Sequence, residues 1–128
     1  MEIHTEFVTE RTSWIVEGGK KILFDDFEDA TENELLDLLP RVADYILEND
    51  IQEVRRLTNV RNCSSSTKVV DVSKMATLKI RENMKKAAVY GATTLQRVLV
   101  MFVSNFVQLD IVMFATKQEA IEYLLTDD

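Results

Sequence analysis

Ala88-Val89-Tyr90-Gly91, Thr93-Thr94-Leu95-Gln96-Arg97-Val98-Leu99, Ile111-Val112-Met113-Phe114 and Thr116-Lys117-Gln118-Glu119-Ala120-Ile121 are the four segments whose order decides the fold. The first is a short apolar run closed by glycine. The second opens with two threonines and continues as a helical segment to Gln108. The third is a second buried strand, and the fourth starts an amphipathic helix that ends near Leu125. Strand, helix, strand, helix with almost nothing between them implies parallel pairing through right-handed crossovers.

Toward the N-terminus the pattern changes. Thr12-Ser13-Trp14-Ile15-Val16 and Lys20-Lys21-Ile22-Leu23-Phe24 flank Glu17-Gly18-Gly19, and paired glycines supply the positive φ angles of a tight hairpin. Residues 2–8 alternate weakly and read as a third antiparallel strand at an edge. Thr31-Glu32-Asn33-Glu34 is a capping box, followed by an apolar stripe of Leu35, Leu36, Leu39, Val42, Ala43, Ile46 and Leu47. Pro40 interrupts it, which predicts either a kink or a short turn leading into a new helix. Residues 51–60 should hold a strand. Arg55-Arg56 is an awkward centre for one buried on both faces, so its better half is Leu57 to Val60. Ser66 or Thr67 then caps a helix with Val69, Ser73, Ala76, Ile80 and Met84 on one face. The expectation is an α/β chain forming one small domain over residues 1–128. Its mixed sheet has about five strands: an antiparallel N-terminal hairpin, then parallel βα units, with helices on both faces or mostly one.

Composition narrows the partners. The 128 residues are 46% hydrophobic and 29% charged, as in soluble globular domains. A net charge of −7 disfavours nucleic acid or an anionic membrane, both of which require a concentrated basic face. The longest apolar run, Val98 to Val103, is far short of the ~20 residues of a membrane span, so no integral membrane association is expected. Cys63 stands alone and the first residues show no secretion pattern, which together predict a cytoplasmic location.

No catalytic motif rises above background. One histidine, His4, and one cysteine cannot assemble a zinc site or a Cys-His or Ser-His pair within one chain, and three glycines make no phosphate loop. Neither a metal nor a cofactor is expected. The acidic cluster Asp25, Asp26, Glu28 and Asp29 has the ligand type of a divalent-ion site, but reads first as a solvated strand-to-helix corner. In open α/β sheets, ligands sit outside the carboxyl ends of the parallel strands. Two loops should converge there, bringing Asn59, Arg61, Ser64, Ser65, Ser66, Thr93, Thr94 and Arg97 into a possible anion pocket. The same hydroxyls also read as helix caps and turn formers.

The chain resembles the SpoIIAA-like (STAS-type) family, itself akin in layout to CRAL-TRIO lipid-binding domains. Three stretches carry the resemblance: Leu57-Thr58-Asn59-Val60; Ala88-Val89-Tyr90-Gly91 with Thr94-Leu95-Gln96-Arg97-Val98-Leu99; and the residues from Phe114 to Leu124, similar to the family's closing Phe-Asp-Thr-x-x-Glu-Ala-x-x-Trp-Leu. Asn59 stands where the family commonly has aspartate. Anti-sigma-factor antagonists of this fold carry a phosphorylatable serine after an aspartate; here Cys63 precedes Ser64-Ser65-Ser66. The resemblance implies a fold, and folds of this kind host many roles.

Residues 94–108 carry the functional expectation. Helical spacing lines up Arg97, Ser104 and Gln108 as an outward stripe, with Val100 and Met101 on or beside it, where related domains tend to be more polar. Something must cover those apolar residues: the segment from Met1 to Val8, or a partner. The expectation is a non-catalytic regulatory module that forms a homodimer or docks a protein partner through Val100, Met101, Ser104 and Gln108. The alternative is a small-ligand carrier holding a lipid or anionic metabolite, its head group facing Arg61 and Arg97.

Overall fold

Gly18 and Gly19, with φ of 55° and 77°, close a hairpin between β2 (Thr12–Glu17) and β3 (Lys20–Asp26). The computed structural model describes residues 6–127. Within them Glu6–Phe7 forms a short edge strand, β1, antiparallel to β2; the rest of the expected N-terminal strand lies outside the described residues. After the hairpin come α1 (Glu32–Glu48), β4 (Val54–Asn59), α2 (Thr67–Lys79), β5 (Met84–Tyr90), α3 (Thr94–Val107), β6 (Ile111–Phe114) and α4 (Lys117–Leu124). The sheet has six strands, counting the N-terminal edge strand β1. Their spatial order is their chain order, antiparallel up to β3 and parallel thereafter.

That order fixes the layers. Three successive parallel pairs step in the same direction, so right-handed crossovers place α1, α2 and α3 side by side on one face. Accordingly, α1 packs on α2 and α2 on α3. The last helix, α4, follows the edge strand and folds back over the opposite face, onto β4 and β5. Alternation along the strands feeds both layers. Leu23 and Val54 meet Val42, Ala43 and Ile46 of α1, whereas Ile22, Leu57 and Ala88 meet Ala120, Ile121 and Leu124 of α4.

The helix signals act as their chemistry requires. Thr31 accepts from the Glu34 amide at 3.2 Å, and Glu34 accepts from the Thr31 amide at 3.0 Å. Thr93 with Gln96 and Thr116 with Glu119 repeat the device, and Ser66 caps α2. Pro40 lies inside a single α1 rather than starting a second helix. The innermost line of α1 runs through Leu35, Leu38, Val42 and Ile46, and Leu47 is left exposed. Expectation and structure part after α2. Ile80 and Met84 do not lie on the helix face, because the helix stops at Lys79. One 3₁₀ turn, Arg81–Asn83, follows, and Met84 begins β5. The Asn83 side chain, donating to the Ile51 carbonyl at 2.9 Å, holds that turn against the loop before β4.

The strand β4 runs through both arginines, because each finds its own acceptor on its own face. Arg55 reaches the α4 side, donating from Nε to the Leu124 carbonyl at 2.8 Å and pairing with Asp127. Lys86 and Lys20 reach the same helix end, at the Tyr123 and Leu125 carbonyls. Cations there satisfy the final carbonyls and oppose the helix dipole.

Arg56 points to the other layer. Its Nε meets Asp25 at 2.6 Å, and Thr12 and Thr58 hydroxyls donate to the same carboxylate at 2.7 and 2.9 Å. Asp25 is completely buried, so it leaves the solvated corner expected of it, drawn inward by these three donors. Removing one member of such a pair leaves the other charge in the interior, so Asp25→Ala should lose about 3–5 kcal/mol in urea unfolding. The double variant Asp25→Ala/Arg56→Met should lose less than the sum of the single changes. A loss below about 1 kcal/mol for Asp25→Ala would show that the pair does not hold these strands.

Candidate functional site

The two loops expected to frame a pocket do converge, but they touch. Gly91 has φ of 84°, and a Cβ there would lie 3.1 Å from Arg61 Cβ and 3.3 Å from Asn59 Oδ1. Asn59 is consumed by structure: its Nδ2 donates to Asp26 and Glu28 at 3.0 and 3.1 Å, and its Oδ1 accepts from the Arg61 amide at 2.9 Å. Arg61 is exposed, 3.9 Å from Glu28. Thr93 caps α3 with its hydroxyl, Ser66 caps α2, and Thr94 and Arg97 face solvent. Six of the eight expected ligand residues therefore do not meet around an opening. The outstanding pair, Ser64 and Ser65, lines a different space.

That space is a cavity of about 170 Å³ between the sheet and the three-helix layer. Arg56 and Thr58 of β4 and Ala87 and Val89 of β5 form its floor. Ser73 and Thr77 of α2 roof it, and Leu99, Val100 and Val103 of α3 close one side. Cys63 and Gln96 lie at the end near the loops. Gln96 is 7% exposed; its side-chain amide donates to the Val60 and Cys63 carbonyls at 3.2 and 3.3 Å while its oxygen accepts from the Thr93 amide at 2.8 Å. One glutamine thus ties the start of α3 to the loop after β4. Arg56, Cys63 and Gln96 are not among the ligand residues that the sequence suggests. The capping-box spacing Thr93-x-x-Gln96 was the available signal for the glutamine.

The α3 helix presents two apolar faces. Val103 and Val107 are buried, with Val100 partly covered and turned to the cavity. Ser104 also turns inward: its hydroxyl donates to the Leu109 carbonyl at 2.6 Å and accepts from the Ile111 amide at 3.2 Å. Both therefore leave the outward stripe on which they were expected. Gln108 is exposed but closes the helix in the left-handed region, with φ of 57°. The outward face is instead Leu95, Val98, Met101, Phe102 and Phe106, each between 49% and 64% exposed. Lys74 of α2 lies over the Phe102 and Phe106 rings at 5.0 and 4.8 Å. Residues 6–8 do not cover this face, since β1 lies at the opposite edge of the sheet.

At Gly91, positive φ and the adjacent Arg61 backbone both oppose a side chain, so Gly91→Ala should cost about 1–3 kcal/mol by denaturant unfolding. Burial pushes the Cys63 thiol up to about 11. At pH 8 its alkylation by iodoacetamide should be about 100-fold slower in the native protein than in urea. Because the folded state holds this proton more tightly, the associated stability is intact below about pH 9 and lost as pH rises toward 11. Equal alkylation rates in the two states would overturn this.

The SpoIIAA-like family model matches residues 19–125. The crystal structure of an uncharacterized protein with a SpoIIAA-like fold from Shewanella loihica PV-4 is similar to this one, with a TM-score of 0.69. That likeness covers 97% of this chain and 98% of the other at 14% identity, and it concerns the fold alone. No curated protein matches the chain. With most of its sequence matched by the family model, the chain belongs to the SpoIIAA-like family.

Proposed function

We propose that this STAS-type domain is a non-catalytic regulatory module of the cytoplasm that associates with a second copy of itself through the outward face of α3. One observation carries the reading: five large apolar side chains of one helix face are at least 49% exposed. Scattered surface leucines are ordinary, but a contiguous apolar face of this length is what association surfaces look like. It runs along the helix at spacings of three and four, so it is one stripe.

Charge favours a second copy as the occupant. The chain carries −7 overall, yet α3 has no carboxylate and a single cation, Arg97. Two copies meeting there avoid like-charge repulsion between their acidic surfaces. Met75 and Leu78 of the adjacent α2 are also exposed, which extends the apolar area toward the roughly 800 Å² per partner of a stable interface. Aromatic and methionine side chains are the types enriched at interface centres.

Phe102 and Met101 should each contribute about 1.5–3 kcal/mol of burial before association costs. In analytical ultracentrifugation the wild type should sediment as a dimer at about 50 µM, and Met101→Glu or Phe102→Glu should weaken the dimer at least tenfold. A wild-type monomer at that concentration removes the reading, whether or not another protein can occupy the face.

A further inference from the structure

Across β1, β2 and β3 the register sets three side chains in one row: Phe7 lies opposite Ser13, and Ser13 opposite Phe24. Residues directly across a sheet share a face, so two phenyl groups flank one short hydroxymethyl group. The face is that of α4, because Phe24 packs against the cluster that Ile22 forms with Ala120, Ile121 and Leu124. The helix itself lies over β4 and β5 and leaves the outer end of the row open, where Phe7 is 68% exposed. A recess of about 450 Å³ results, lined by Phe7, Glu10, Arg11, Ser13, Phe24 and Asp26.

Polar groups in the recess are left over for a guest. Ser13 is 8% exposed, yet its hydroxyl has no hydrogen bond to another described residue, whereas polar groups at that depth are ordinarily partnered. Asp26 Oδ1 accepts from Asn59 at 3.0 Å, but Oδ2 has no bond to a described residue. The charge of Arg11 is met elsewhere: Nε pairs with Glu34 at 3.2 Å, and Nη1 donates to the Asp26 and Glu28 carbonyls at 3.1 and 2.8 Å. Glu10, paired with Arg41, is exposed at the rim.

We propose that this recess takes an arginine side chain presented by a basic protein partner. Neighbouring strands lie about 4.8 Å apart, so a cation held above Ser13 comes within the roughly 6 Å reach of cation–π contact with both phenyl rings. The Phe24 ring already receives one cation, Lys117 at 4.4 Å. A guanidinium suits the row better than an ammonium: its flat faces meet the rings while its edge donates to the Ser13 hydroxyl and to Asp26. Charge decides against an anion, which would meet the carboxylates of Glu10 and Asp26. It decides equally against a second copy, since a chain of −7 repels its like where, unlike on α3, carboxylates line the rim. Openness decides against a free metabolite: enclosed sites bury roughly 70–90% of a small ligand, and this recess has Phe7 as an exposed wall. The inference stands apart from self-association, because α3 packs on the opposite face of the sheet.

The test is a titration of the full chain at neutral pH and low salt, followed by ¹⁵N–¹H correlation spectra. The probe is a capped tripeptide with arginine between two glycines. It should shift the amides of Phe7, Ser13 and Phe24 and saturate with a Kd of about 1–10 mM, the range open to one side chain. The lysine counterpart should bind about threefold more weakly, and the citrulline counterpart, equal in shape but uncharged, about tenfold more weakly. Free arginine, whose α-carboxylate would stand beside Asp26 and Glu10, should also lose about threefold. Phe7→Ala, at an exposed edge position, should weaken the arginine peptide about fivefold, and Ser13→Val, which removes the acceptor between the rings, by a similar factor. No shifts up to about 50 mM, or unchanged affinity in Phe7→Ala, would overturn the site. Lysine or citrulline peptides binding as tightly as the arginine peptide would overturn the guanidinium, and free arginine binding as tightly would overturn the protein partner.

Discussion

The Asp25 carboxylate accepts three hydrogen bonds at 2.6–2.9 Å, from Thr12 on β2 and from Arg56 and Thr58 on β4, while lying on β3 between them. It therefore cross-links the antiparallel half of the sheet to the parallel half at the line where strand direction changes. Its burial beneath the helical layer makes the geometry exacting, because a charge in that position is tolerated only when its partners are in place. Arg56 is held in one position on the sheet floor as a result.

The two layers solve the same packing problem differently. On the α4 side, alanine and branched aliphatic side chains meet closely, and Arg55, Lys86 and Lys20 gather at the helix end to satisfy its last carbonyls. On the other side, α1 is packed by a continuous leucine, valine and isoleucine line, but α2 is not. Its inner face offers serine, alanine and threonine where bulk would be needed to reach the sheet. The gap is a consequence of side-chain size on one helix, with the neighbouring α1 and α3 keeping it open.

The α3 helix lies at the edge of this arrangement. Its inner valines border the cavity and its outer leucine, methionine and phenylalanines meet solvent, so it is apolar on both sides with only Gln96, Ser104 and the caps to orient it. Those polar groups are used well. Gln96 fixes the helix start to the loop after β4, and Ser104 fixes its end to the start of β6. With both ends pinned by hydrogen bonds, the helix can leave an apolar face uncovered without turning it inward. Lys74, lying over two phenyl rings, adds a cation–π contact at the edge of that face.

Local chemistry determined the elements. Gly18-Gly19, the capping boxes at Thr31 and Thr116, and the short apolar runs before Gly91 and Ala115 each encode a start, a turn or a stop over a few neighbouring residues, so hairpin, helices and parallel order were legible in the chain. The closing Phe114 to Leu124 stretch made the family legible too. Long-range pairing determined the rest. Arg55 and Arg56 read as too polar for a buried strand because Leu124 and Asp25, their acceptors, are 69 and 31 residues away. Val100 and Ser104 read as outward because periodicity gives the angle between side chains, not which angle faces the sheet. Only the packed layers set that phase, and with it the site: helix spacing is a property of neighbours along the backbone, whereas a cavity is a property of surfaces that meet only after folding.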